Sequence, residues 1–268
     1  MKLNKANIER YYITDIDVFP KSIYCYHDVM GELLISNHKH DKAQLIYTEG
    51  GIIHIETEDN IYYIPPRHLM WIPAGVFHSI RTNTEKAIMR NLYFPVEDNE
   101  LLFYKKEGIY LANDLLLNLL LFTDKWRADI HIEDKNYSVL LAIKALLPDI
   151  CENSVPLSLP FPKNERLKKV IIYMSNHLEE QISYKKLSKK FGYSERTLNR
   201  LFQKETGMSF IKYFTIQKML RAIELLLENK YTITEIAYAV GYSSAPTFSN
   251  TFYKLLGQRP SDYISVRK

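Results

Sequence analysis

The chain reads as an α+β protein of two domains: an antiparallel β domain with trailing helices, then an all-α domain. Three observations predict this. Residues 1–95 break into short apolar-alternating pieces, separated by turn signals about every ten residues. From residue 113 the apolar spacing becomes helical. Pro156, Pro160 and Pro162 then fall within the stretch from Ser154 to Lys163, a composition that stiffens and extends a backbone. The expected division is 1–152, a linker over 153–163, and 164–268.

The strands expected in the first part are Glu32–Ser36, Gln44–Thr48, Ile52–Glu56, Ile61–Ile64, His68–Ile72, Val76–Arg81 and Ala87–Phe94. Turn chemistry divides them: Gly50-Gly51, Asp59-Asn60, Pro65-Pro66, Pro73-Ala-Gly75 and Thr82-Asn83. Such a series argues for a sandwich or a barrel. Helices are expected over Asn113–Lys125 and Glu133–Cys151, with apolar stripes at Leu115, Leu119 and Phe122 and at Leu140, Ile143, Ala145 and Leu146. These stripes predict packing against the sheet, and the second helix is also a candidate surface for a homodimer.

The C-terminal part spells one pattern twice. Leu187-Ser-Lys-Lys-Phe191-Gly192-Tyr193-Ser194 is followed by Leu198, Phe202 and Gly207. Ile236-Ala-Tyr-Ala-Val240-Gly241-Tyr242-Ser243 is followed by Phe248, Phe252 and Gly257. The offset is 49 residues before the second helix and 50 within it. Each copy is a short helix, a turn through glycine, and a second helix capped by serine, which is a helix-turn-helix. Between the copies Ser209–Glu228 lacks Gly and Pro and keeps helical spacing. At about 1.5 Å per residue it spans roughly 30 Å. Readers on successive turns of one DNA face need about 34 Å. Two such motifs on such a strut imply a double major-groove reader of double-stranded DNA.

Charge agrees with that division. The formal net charge is +4, yet residues 161–268 hold 19 lysines and arginines against 9 acids, and residues 1–160 hold 16 against 22. A basic segment of this size favours a polyanion and makes binding salt-dependent. Cys25 and Cys151 have no paired spacing and read as buried thiols of a reducing compartment. No apolar run approaches a signal peptide or a membrane span, so a cytoplasmic protein without a membrane partner is expected.

These motifs resemble the DNA-binding domain of the AraC/XylS family of bacterial transcription regulators, from about residue 164 to 266. Ala222 and Leu225-Leu226 fit its linker helix, and Gly257-Gln-Arg-Pro260-Ser-Asp-Tyr263 fits its closing Gly-x-x-Pro-x-x-Tyr. The resemblance implies DNA contacts from Ser194, Arg196, Thr197, Asn199, Arg200 and Lys204 in the first motif. In the second it implies Ser244, Ala245, Pro246, Thr247 and Asn250, with Ser249 beside them. Arginine pairs with guanine O6/N7 and asparagine with adenine N6/N7. Asn250 stands where the family often has arginine, and Lys218 replaces the usual arginine of the linker helix. The first motif is therefore expected to dominate specificity.

Residues before the linker resemble the cupin-like effector domains of that family, which implies a β-barrel binding a small-molecule effector. His38-x-His40 with Gln44, and Pro73-x-Gly75-x-x-His78, resemble the two cupin signature stretches. Metal-binding cupins use such histidines with a carboxylate, and imidazole suits iron, manganese, zinc or nickel. Here Gln44 takes the carboxylate's place. The reading adopted is an effector pocket of His38, His40, Gln44 and His78, with Tyr47, Trp71 and Phe77 as apolar walls. A metal held by His38, His40, Gln44 and His78 is the alternative, as in a metal sensor or a metal-dependent enzyme. No cofactor and no enzymatic activity are expected, since no nucleophile motif or phosphate-binding glycine loop is present. The resemblance also implies contact with RNA polymerase.

Overall fold

The computed structural model describes residues 15–30, 34–82, 84–97, 101–180 and 182–264. The chain divides into two compact units, Met1–Glu58 with Tyr62–Val155, and Asp59–Ile61 with Pro156–Lys268.

The first unit contains β1 (Ile23–Val29), β2 (Leu34–His38), β3 (Ala43–Glu49), β4 (Ile53–Thr57), most of β5 (Asn60–Ile64), β6 (His68–Ile72), β7 (His78–Thr82), β8 (Ile88–Phe94), β9 (Gly108–Leu111) and β10 (Ala128–Ile130). Its helices are α1 (Asp114–Phe122) and α2 (Tyr137–Ile150). One sheet runs β10-β1-β8-β3-β6-β9, and the other runs through β5-β4-β7-β2. The pairings are antiparallel, among them β3 with both β6 and β8 and β7 with both β2 and β4. The two antiparallel sheets do not close into one, and they form the β-rich domain expected as a sandwich or barrel. The expected start of the first strand at Glu32 lies outside the described residues. Strands β1, β9 and β10 were not expected.

Closure is unnecessary because α1 and α2 cover one face of the larger sheet. Ala43, Leu45, Tyr47, Leu69, Trp71, Leu92 and Phe94 form one core with Leu116, Leu120, Leu140, Ile143 and Leu147. Strand side chains alternate, so Gln44, Ile46 and Thr48 point the other way. Strand β3 is buried on both faces, apart from half-buried Glu49, and it buries the polar Gln44 and Thr48 on the face away from the helices. The helical stripe is one residue out of the expected phase. Leu116 and Leu120 are buried, while Leu115 and Phe122 are each 54% exposed. Every position but one from Leu115 to Phe122 is apolar, so periodicity alone cannot choose the inward face.

Among the described residues the second unit carries β11 (Ser158–Pro160) and the helices α3 (Glu165–Ser175), α4 (Tyr184–Phe191), α5 (Glu195–Thr206), α6 (Phe210–Glu228), α7 (Ile233–Ala239), α8 (Ala245–Leu256) and α9 (Pro260–Ile264). Each motif helix starts where the sequence supplies a cap. Ser183 accepts from Lys186 N–H, Ser194 from Thr197 N–H, Ser209 from Lys212 N–H and Ser244 from Thr247 N–H. Thr232 and Glu235 make a reciprocal capping box on α7. Gly192 and Gly241 take left-handed backbone at φ 67 and 74 after the first helix of each motif. The caps Ser194 and Ser244 are offset by 50, while the turn glycines are offset by 49, so the extra residue sits inside the second turn.

Candidate nucleic-acid interface and ligand site

Helices α5 and α8 are built alike. Leu198, Phe202 and Thr206 are buried on α5, and Phe248, Phe252 and Leu256 on α8. The opposite faces meet solvent. Ser194, Arg196, Thr197, Asn199, Arg200 and Lys204 are exposed on the first reader, and Pro246, Thr247 and Asn250 on the second. Ser244 and Ala245 are half-buried. The Ser194 and Thr197 hydroxyls lie 2.8 Å apart, and Ser244 and Thr247 repeat that distance. Ser194 and Ser244 therefore serve first as caps and Thr197 and Thr247 as their partners, which fixes all four at the reader N-termini. Arg196 and Arg200 enter no ion pair among the described residues, which leaves their guanidinium groups available to an anion or a base edge.

Two side-chain contacts alter the expected reading surface. Tyr184 donates to Asn199 Oδ1 at 2.9 Å and accepts from Phe210 N–H at 3.0 Å. Asn199 is thus half engaged and holds only its amide N–H groups free. On the second reader, Arg259 Nη1 donates to Asn250 Oδ1 at 3.1 Å, and its guanidinium lies 4.6 Å from the Tyr253 ring centre. A guanidinium therefore stands on the second face after all, delivered from the turn before α9. Sequence reasoning missed Arg259 because it read α8 alone; Arg259 is nine residues beyond Asn250.

A cation pins each turn. Arg166 donates to the Phe191 carbonyl at 3.3 Å and sits 4.5 Å from the Tyr193 ring centre. Lys218 donates to the Gly241 carbonyl at 3.5 Å and sits between Phe214 and Tyr242, at 4.7 and 5.6 Å. Burial holds the Lys218 ammonium below the usual lysine range, with Glu179 opposing. Lys218 is thus a fastening for the turn and is not available to DNA.

In the first unit the structure gathers His38, His40 and His78, whose ring nitrogens lie within 4.8 Å of one another. A register shift between Ile35 and His38 in the β2–β7 ladder turns His38 onto the face it shares with its cross-strand partner His78. Gly75, at φ 75, donates its N–H to the His40 carbonyl at 2.9 Å and ties the two stretches together. Gln44 Oε1 lies 3.3 Å from His40 Nε2, and Gln44 Nε2 donates to Asn91 Oδ1 at 2.7 Å and to the Tyr93 hydroxyl at 3.2 Å. Burial lowers all three histidines, His78 to about 3, so they are neutral at pH 7.

Tyr47 and Trp71 do not join them. Both face the helices in the larger core, where Trp71 Nε1 donates to the Tyr104 carbonyl at 2.9 Å. The expected pocket walls are corrected on this point: alternation on β3 sends Gln44 and Tyr47 to opposite faces. Phe77 is exposed, beneath the Lys39 ammonium at 5.0 Å.

Comparison with known proteins agrees with both units. Residues 187–265 match a family described as a helix-turn-helix domain, and residues 22–102 match an AraC-like ligand binding domain. The chain is an AraC-family transcriptional regulator. This regulator is 28% identical over 248 residues to the HTH-type transcriptional regulator NimR of Escherichia coli, covering 90% of this chain and 86% of that one. It is 27% identical to the uncharacterized HTH-type transcriptional regulator YobQ of Bacillus subtilis, over 86% and 89% of the two chains. Among solved structures, the C-terminal domain of AraT, a response regulator from Geobacillus stearothermophilus, is 30% identical over 39% of this chain and 87% of its own, with a TM-score of 0.38. No helix among the described residues of the regulator is long and apolar enough to cross a membrane.

Proposed function

We propose that this DNA-binding regulator reads two adjacent major-groove segments with α5 and α8, and that a small molecule bound in the sheet domain sets its affinity for them. The repeated cap, turn and cation clamp of the two motifs carries the reading, because it presents two equivalent faces on a rigid strut. The strut α6 has 19 residues, so its length is about 28 Å. Arg196, Arg200 and Lys204 supply the first contact set, and Thr247, Asn250 and Arg259 the second. An effector acts only through a difference in affinity between two arrangements of the protein. The site we assign to it is the cluster of His38, His40, Gln44 and His78.

The regulator acts at promoters in the cytoplasm, where DNA and RNA polymerase meet. A second copy is the partner assigned to the α1–α2 surface, where Leu115, Phe122 and Leu141 are exposed. Selection of binding sites from random duplexes, followed by footprinting, tests the reading. The expected footprint has two segments about one helical turn apart on one DNA face. A single protected segment, unchanged by substitutions in α8, would overturn the two-reader proposal.

A further inference from the structure

We infer that Tyr184 sets which base Asn199 can read. Its hydroxyl occupies the Asn199 carbonyl oxygen, so the amide meets DNA as a donor alone and selects guanine over adenine. The inference deepens the two-reader proposal and rests on it, since the amide polarity counts only where Asn199 faces the major groove. Tyr184 is a positioning residue that acts through Asn199.

Three groups form a chain. Tyr184 is the first residue of α4 and is half-buried. Its ring lies 4.7 Å from the ring of buried Phe210, which meets Phe202 of α5 at 5.9 Å. The phenol is thus held by its ring against the aromatic core, while its hydroxyl reaches exposed Asn199. The Phe210 N–H donates to that hydroxyl at 3.0 Å, and the hydroxyl donates to Asn199 Oδ1 at 2.9 Å. Burial raises the Tyr184 pKa, with the Phe210 N–H opposing, so the phenol keeps its proton at pH 7.

Proton counting fixes the polarity. A phenol has one proton, and the Phe210 N–H already comes to its oxygen. Asn199 Oδ1 takes that proton. Turning the amide over would bring a second donor to the same oxygen and leave the phenol proton without an acceptor among the described residues. Adenine needs both ends of an asparagine amide, because its N6 amino group seeks an acceptor beside the N7 lone pair. Guanine presents O6 and N7, two adjacent acceptors, and an amide that can only donate suits it better.

The second motif supplies an internal comparison. Offsets of 49 and 50 put Ile233 where Tyr184 stands, Ser249 where Asn199 stands and Pro260 where Phe210 stands. Isoleucine has no hydroxyl, and proline has no N–H to be capped. The hydroxyl, its asparagine and its capped N–H occur together in the first motif and are all replaced in the second. Helices α7 and α8 form with isoleucine at that place, so the motif itself does not require the hydroxyl.

The test selects binding sites from random duplexes with full-length wild type, Tyr184→Phe, Asn199→Ala and the double variant. Asn199→Ala should flatten the preference at one base pair, which identifies the pair that Asn199 reads. The wild type should take a G·C pair there. Tyr184→Phe keeps the ring and frees the amide, so A·T should gain at that pair by about fivefold or more, as a bidentate contact opens. Tyr184→Ile, which copies the second motif, carries the same expectation. The double variant should match Asn199→Ala. A hydroxyl that only capped the Phe210 N–H would lower the melting midpoint in Tyr184→Phe and leave base preference as it was, which would overturn the inference. An A·T pair preferred by the wild type would overturn it without any variant, and so would an Asn199→Ala protein that flattens no pair. In each of these cases a footprint of two segments leaves the two-reader proposal standing. A wild type that enriches no sequence overturns both.

Discussion

Arg259 reaches back across the turn before α9 to donate to Asn250 Oδ1 over 3.1 Å, which puts a guanidinium on the exposed face of the second reader. A cation at a helix edge, braced by Tyr253, suits a phosphate better than a base. Arg259→Ala is expected to weaken binding to all duplexes alike and to lower the slope of log affinity against log salt by about 1. Titrations at several salt concentrations check this. Loss confined to one operator sequence, with the slope unchanged, would mean that Arg259 reads a base.

Specificity should rest mainly on the first reader. Arg200→Ala is expected to cost about 1–3 kcal/mol of discrimination at one position, as for a lost bidentate contact. Asn250→Ala should cost less, because its carbonyl oxygen is already held by Arg259. Competition assays with single-base operator variants decide it. Equal losses of discrimination for the two variants would sink the idea.

The two turn glycines should differ sharply. An added Cβ at Gly192 meets nothing within 4 Å, so Gly192→Ala costs only the left-handed backbone, about 1–2 kcal/mol. At Gly241 it would lie 2.6 Å from Lys218 Nζ, 2.7 Å from the Leu178 carbonyl oxygen and 2.8 Å from that of Glu179. Gly241→Ala should therefore destabilise by about 3 kcal/mol or more, since overpacking adds to the backbone strain. Denaturant melts of both variants provide the comparison, and matching midpoints would refute it.

Acid should loosen the sheet domain. Burial pushes His27 down to about 4, with Arg127 next in effect, and pushes His54 to about 4, with Arg81 adding to it. The unfolded chain binds these protons near pH 6.5, whereas the folded one resists them until about pH 4. Stability is thus fully present above pH 6.5 and lost as pH falls toward 4. Thermal melts across that range should show a falling Tm, flattened in His54→Leu. A Tm that holds steady from pH 7 to 5 would contradict it.

Trp71 belongs to the larger core and not to the histidine cluster. Trp71→Ala should cost about 3–5 kcal/mol of stability. Trp71→Phe, which keeps the fold, should leave effector binding at the histidine cluster unchanged. Isothermal titration of the phenylalanine variant is the check.

The local code of the second unit was open to reading from sequence. Gly192, Gly241, Ser194 and Ser244 act within a few residues of themselves, through backbone conformation and capping. Strands β2 to β8 were legible within about two residues from alternation and turn residues. What only the tertiary structure decided depends on contacts distant in sequence or on phase. The register shift between Ile35 and His38 turned His38 toward His78, and no pattern in Leu34–His38 announces it. Alternation on β3 divided Gln44 from Tyr47, but only the positions of the helices and the second sheet showed which face held which partner. An almost wholly apolar α1 could not reveal its inward side. Arg259 came to Asn250 through the packing of α9. Sequence thus determined most of the elements and the family, because those rest on short-range preferences. Packing decided which side chains share a site, because that depends on register and on which faces are covered.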